Sequence, residues 1–186
     1  MGLEDNFAQW EYEYNTESYS KKEIDEQFEG FYEQLIVEME EKYGKKTGNK
    51  NYFRIKAYRH RIKNAIVAQL HKELTLSDCI SHTPYKTFYE VFSGNIATEP
   101  YAKIHWLKTA TLATYFIDKL AENKWLDNHE LDDKLERFFL KKDGKNFINA
   151  SSTRGNINSN RKSDYKPKHN EIIDDIISKI DEKINP

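Results

Sequence analysis

KIHWLKTATLATYFIDKLAENKWL, residues Lys103 to Leu126, divides into three pieces. A short extended run ends on Trp106, a helix follows, and Trp125-Leu126 leads out into a polar turn. Trp106, Ala110, Ala113, Ile117 and Leu120 recur at three- and four-residue steps, the spacing of one helical face. Leu112 and Phe116 widen that face. Thr109 stands where a side-chain oxygen caps the first free amides, and Asn123 where the helix stops. The small Ala110 and Ala113 let a second helix come close. The stretch reads as a buried helix at the centre of a folded domain.

Downstream, Asn128 is positioned to cap a helix over 129–140 that carries Leu131, Leu135, Phe138 and Phe139. Lys141-Lys142-Asp143-Gly144-Lys145 is a turn, and its Asp-Gly is placed to close a small hairpin between Phe139-Leu140 and Phe147-Ile148. Residues 149–167, NASSTRGNINSNRKSDYKP, are polar and basic. They predict one short helix from Ser151 or Ser152 and then a flexible link. A last helix over 169–184 shows an apolar stripe of Ile173, Ile176, Ile177, Ile180 and Ile184. That stripe has to be buried, on this domain or against a second copy.

Upstream, residues 1–19 form an irregular arm whose aromatics anchor it. Ser20, with Glu23 three positions on, opens a helix to Tyr43 through a capping box. Gly44 stops that helix. A second helix is predicted from Tyr52 to about Leu76, with Ile55, Ile62, Ile66, Leu70 and Leu74 on one face. The two helices would make an antiparallel hairpin. His60 and His71 fall on a shared face more than about 16 Å apart by helical rise, too far to share a metal, and read as solvated or capping. A connection over 75–84 precedes a short helix, Tyr85 to Phe92, ended by Ser93-Gly94-Asn95. Glu99-Pro100 marks a boundary. The division expected is therefore an arm (1–19), a helical subdomain (20–98) and a second subdomain (99–186).

Composition bounds the class. Seven Gly and four Pro in 186 residues favour helix over sheet, and twelve Tyr with ten Phe supply apolar area that a 38% hydrophobic chain otherwise lacks. A lone cysteine, Cys79, excludes an internal disulfide. The acidic start lacks a signal-peptide run, and no apolar run approaches the roughly 20 residues that cross a bilayer. The expectation is a cytoplasmic protein without a membrane partner. The net charge of −2 hides segregation: residues 1–43 hold 13 acids against three lysines, and 44–72 hold nine Lys/Arg and no acid. Residues 141–169 hold eight Lys/Arg against two Asp. Local positive charge of that kind attracts polyanions whatever the total. An acidic helix lying beside a basic one would answer the same charges.

Catalytic signatures are missing: no P-loop, GxGxxG, HExxH, paired CxxC or GxSxG occurs. Cys79 has no orienting carboxylate in a recognisable pattern, and the six histidines never stand at ligand spacing. A non-enzymatic protein without cofactor or metal is expected. In the C-terminal half, strand, helix, helix, Asp-Gly turn and basic segment follow the order of a winged-helix or helix-turn-helix unit. Lys141, Lys142, Lys145, Arg154, Arg161 and Lys162 then become the candidate nucleic-acid contacts, with Asn156 and Asn158 among them. A solubilising basic loop has the same composition.

Residues 100–180 also resemble the C-terminal region of the RteC family, regulators found with conjugative elements of Bacteroidetes, and related uncharacterised proteins of that phylum. The shared features are the strand ending in Trp106, the helix with Leu120 and its Asn123-to-Trp125 exit, Phe138-Phe139, and Asp143-Gly144-Lys145 with Phe147. The resemblance implies a helical protein whose C-terminal part is helix-turn-helix-like and binds DNA to control transcription. This chain departs from a basic recognition helix at 129–140, where Glu130, Asp132, Asp133 and Glu136 outnumber Lys134 and Arg137. DNA contact would then come from 141–162.

The fold expected is all-α: a helical hairpin plus a C-terminal winged-helix-like unit with at most a small β-hairpin. The function expected is a non-enzymatic, DNA-associated regulator or accessory protein of a mobile genetic element, meeting double-stranded DNA. The alternative is a helical protein–protein interaction module without nucleic-acid binding, a homodimer or a complex formed through the acidic helix 20–43 or the terminal helix.

Overall fold

The computed structural model describes residues 34, 37, 53–56, 60–81, 83–94, 103–126, 130–147, 149–160 and 166–184. The chain divides into two compact units, Met1–Lys45 and Lys46–Pro186. Of the first, only Gln34 and Val37 are described, both helical and exposed, so the hairpin partner over 20–43 and the 1–19 arm lie outside the described residues.

The second unit is mostly helical. Its described elements are α1 (His60–Leu76), α2 (Tyr85–Ser93), β1 (Ile104–His105), α3 (Ala110–Glu122), α4 (Leu131–Phe138), β2 (Phe139–Leu140), α5 (Ala150–Asn160) and α6 (Asn170–Ile184). Helix α1 packs on α2 and α6, while α3 packs on α4, α5 and α6. The expected all-α class with a minimal sheet is what the chain adopts.

The Lys103–Leu126 stretch behaves as its pattern demands. Thr109 has extended backbone angles, φ −70° and ψ 152°, and its hydroxyl accepts from the Leu112 amide at 3.2 Å. Trp106 is fully buried, its ring stacked on Phe116 at 5.7 Å and its indole N–H donating to the Thr109 carbonyl at 3.0 Å. Every residue of α3 from Leu112 to Asp118 is buried, so the helix is enclosed on nearly all sides.

Around Trp106 runs a short ladder. Strands β1 and β2 pair in parallel, Ile104 opposite Phe139 and His105 opposite Leu140, with α3 and α4 forming the crossover that parallel strands require. On the other side of β1 the Ser81 amide donates to the His105 carbonyl at 2.9 Å and Leu107 to Cys79 at 2.8 Å. The Asp-Gly turn closes as expected at its tip, where Leu140 and Asn146 form an antiparallel bridge.

The helix expected over 129–140 stops at Phe138, and Phe139 and Leu140 turn extended to form β2. Two further expectations are corrected. Residues 53–56 are extended, not helical: the Ile55 amide donates to the Phe92 carbonyl at 2.8 Å and Lys56 to Trp125 at 2.7 Å. Phe53 and Ile55 are buried while Arg54 and Lys56 are exposed, the period of two that marks a strand. Phe53 stacks on Phe92 at 5.2 Å and meets Phe139 edge-on at 6.1 Å, so burial of one aromatic ring outweighs the helical spacing of Ile55 with Ile62. Second, His71 is not solvated. It is fully buried, with its Nε2 2.7 Å from the Thr83 carbonyl and its ring against Tyr85 and Phe88.

The terminal helix answers the open question about its stripe. Ile173, Ile176, Ile177 and Ile180 are buried, and α6 packs on α1 and α3 of the same chain. Tyr115 of α3 donates its phenol to Asp174 at 2.7 Å, and Lys179 pairs with the buried Glu73 of α1 at 3.2 Å.

Candidate nucleic-acid interface

The turn after β2 is built by backbone geometry. The Lys141 amide donates to the Lys145 carbonyl at 2.8 Å, and the Gly144 amide returns to the Lys141 carbonyl at 2.8 Å. Lys142, Asp143 and Gly144 thus make a three-residue loop whose last member sits in the left-handed region at φ +75°, the conformation that selects glycine there. Asp143 braces the loop: its carboxylate accepts from the Lys145 amide at 3.2 Å and pairs with the Lys145 ammonium at 3.2 Å. Those backbone and side-chain hydrogen bonds from Lys145 hold the Asp143 carboxyl below its ordinary range.

The loop presents Lys142 and Lys145 to solvent, and Lys141 is half-buried at its base. Lys103, just before β1, joins them across the ladder by donating to the Asn146 amide oxygen at 2.7 Å. Lys103 was not among the sequence-derived contacts. What brings it there is the fold-back after the turn, which lays Asn146 beside Leu140 within reach of the residue that precedes β1, a contact no local sequence pattern signals.

Arg154 is placed differently. It lies on α5, and its guanidinium pairs with Asp118 of α3 and, at 2.8 Å, with Asp132 of α4. The Asp118 side chain is only 8% exposed and that of Arg154 21%. A second tie runs nearby, where Glu136 of α4 accepts from the first amide of α5, Ala150, at 2.7 Å. Burial, with Asp133 and Glu136 close by, raises the Asp132 carboxyl above its usual range. Arg161 and Lys162 lie outside the described residues.

The earlier basic segment is only partly on the surface. Arg54 and Lys56 are exposed, but Lys63 is buried and its ammonium donates to the Ser93 carbonyl at the end of α2, at 2.5 Å. Burial, then repulsion from Arg54, brings the Lys63 ammonium down to about 8. Cys79 is fully buried, and burial pushes its thiol up to about 11, away from the thiolate that nucleophilic chemistry needs. Among the described residues, no group of three His, Cys, Asp or Glu is arranged to hold a metal ion, and no helix is long and apolar enough to cross a membrane.

Charge differs sharply between the two units. Residues 1–45 hold 13 acids against four lysines, so residues 46–186 carry net +7 within a chain of net −2. No family model, curated protein or solved structure matches the chain.

Proposed function

We propose that this protein is a non-enzymatic, DNA-associated regulator or accessory protein of a mobile genetic element. The observation that carries the reading is the braced loop, which holds Lys142 and Lys145 in solvent beside Lys103 on a unit of net +7. Cations fixed on a rigid turn meet phosphate oxygens without ordering a flexible segment first, and each neutralised phosphate releases counterions. The resemblance of residues 100–180 to the RteC family supplies the regulatory and mobile-element part of the proposal. The interaction-module alternative loses one of its motives, because the isoleucine stripe of α6 is covered by α1 and α3 of its own chain.

The test is a fluorescence-anisotropy titration of the full chain with random-sequence duplex DNA at two salt concentrations. Binding should weaken steeply with salt, and Lys142→Ala with Lys145→Ala together should reduce the log–log salt slope by about 2. Failure to bind any duplex at low ionic strength would remove the proposal.

A further inference from the structure

We infer that α5 is the element that reads base edges, and that Arg154 is a positioning residue that sets it rather than a DNA contact. The inference rests on the DNA-associated reading above and deepens it. At about 100° per residue, Ser151, Ser152, Gly155 and Asn156 fall within one arc of α5, and all four are exposed. Ala150, buried, and Thr153 and Arg154, half-buried, occupy the opposite arc, which lies against α3 and α4. The outward arc thus offers hydroxyl and amide groups that donate and accept, and no carboxylate. Such side chains pair with base edges, and their small size lets a helix backbone sit deep in a groove about 12 Å wide.

Charge complementarity selects the partner. The helix begins five residues after Lys145, within about 18 Å of the cationic loop along an extended chain, so phosphates met by the loop would flank a groove entered by α5. Helix α4, the other candidate, exposes Asp133 with Glu130 at its start and would repel the backbone of a duplex. Arg154 holds α5 to both neighbours at once through Asp118 and Asp132, which fixes the helix as a groove-reading element requires.

The experiment selects preferred sequences from a randomised duplex library with the full-length chain, then measures anisotropy on a selected and a scrambled duplex. Ser151→Ala/Ser152→Ala/Asn156→Ala should lower the selected-to-scrambled affinity ratio at least tenfold and leave the salt slope unchanged. Lys142→Ala/Lys145→Ala should weaken both duplexes alike. Arg154→Lys should lower the ratio, because one ammonium does not reproduce a fork shared by two carboxylates. Arg154→Met, which removes the charge, should leave the salt slope unchanged, and a slope reduced by about 1 would mark Arg154 as a phosphate contact and overturn its assignment. Duplex binding with no selectable sequence, or an unchanged ratio in the triple variant, overturns the inference while sparing the proposed function. No duplex binding by the unaltered chain overturns both. Urea unfolding of each variant confirms that the surface changes leave the fold in place.

Discussion

Replacing Arg154 with alanine should destabilise the 46–186 unit far more than loss of a surface cation would. The guanidinium is shared by two carboxylates from different helices, and the Asp118 side chain is 8% exposed. Removing one partner of a buried pair strands the other charge and costs about 3–5 kcal/mol. Arg154 and Asp132 keep 21% and 23% exposure, so water screens part of the loss and the lower end applies, about 3 kcal/mol. For a protein of this length that is a fall in Tm of about 6–12 °C, out of a total stability on the order of 5–15 kcal/mol. Arg154→Met, which keeps the aliphatic stem, separates lost packing from lost charge. Urea unfolding followed by tryptophan fluorescence reports on the buried Trp106 and Trp125. A double-mutant cycle with Asp118→Asn should return a coupling of at least about 1.5 kcal/mol. Asp132→Asn should cost less than Asp118→Asn, because the Asp132 side chain keeps 23% exposure against 8% for Asp118 and water screens more of its pairing. An Arg154→Ala midpoint equivalent to the unaltered chain within about 0.5 kcal/mol, with no coupling, would refute the reasoning and return Arg154 to the surface set.

Lys63 gives a pH test. Its folded value of about 8 lies below the ordinary 10.5, so the unfolded chain binds more protons between them and stability rises with pH across that window. The burden is fully present below pH 8 and gone above 10.5; relative to Lys63→Met, the unaltered chain should gain at most about 3 kcal/mol, and parallel pH profiles would contradict this. Gly144→Ala should cost about 1 kcal/mol through backbone strain alone, since φ is +75° and nothing lies within 4 Å of the added Cβ. Gly155→Ala, in helical backbone with equally open space, should instead stabilise by about 0.5–1 kcal/mol in thermal unfolding. Cys79 should resist an aromatic disulfide reagent at pH 8 and react fully only in denaturant; rapid labelling of the native chain would show that its thiol is not raised to about 11.

What the sequence discloses here is what depends on near neighbours. Thr109, Trp106 and the α3 face follow from spacing and capping within a few residues, and Gly144 from the turn it closes. The errors have longer range. Phe53 to Lys56 is too short a strand to establish its own period, and Ile55 happens to fall at helical distance from Ile62; only the Phe92 and Phe139 rings, far along the chain, decide the matter. Arg154 stands in a basic run, and its carboxylate partners lie 22 and 36 residues earlier. No local pattern distinguishes a cation aimed at phosphate from one aimed at a buried acid. His71 is the same case in miniature, its acceptor supplied by a loop 12 residues on.

The ladder around Trp106 also bears on self-association. Its inner strands are paired on both sides, but at Asn146 it ends in an outer edge, the kind of place where another chain can add itself. Lys145 precedes that edge and Lys103 is bonded to it, and lysine is the residue that natural sheets station at such edges to keep other strands away. The cations offered to phosphate are therefore also guards. Stripping them invites concentration-dependent aggregation, so a light-scattering check belongs beside every titration of the Lys142/Lys145 variant.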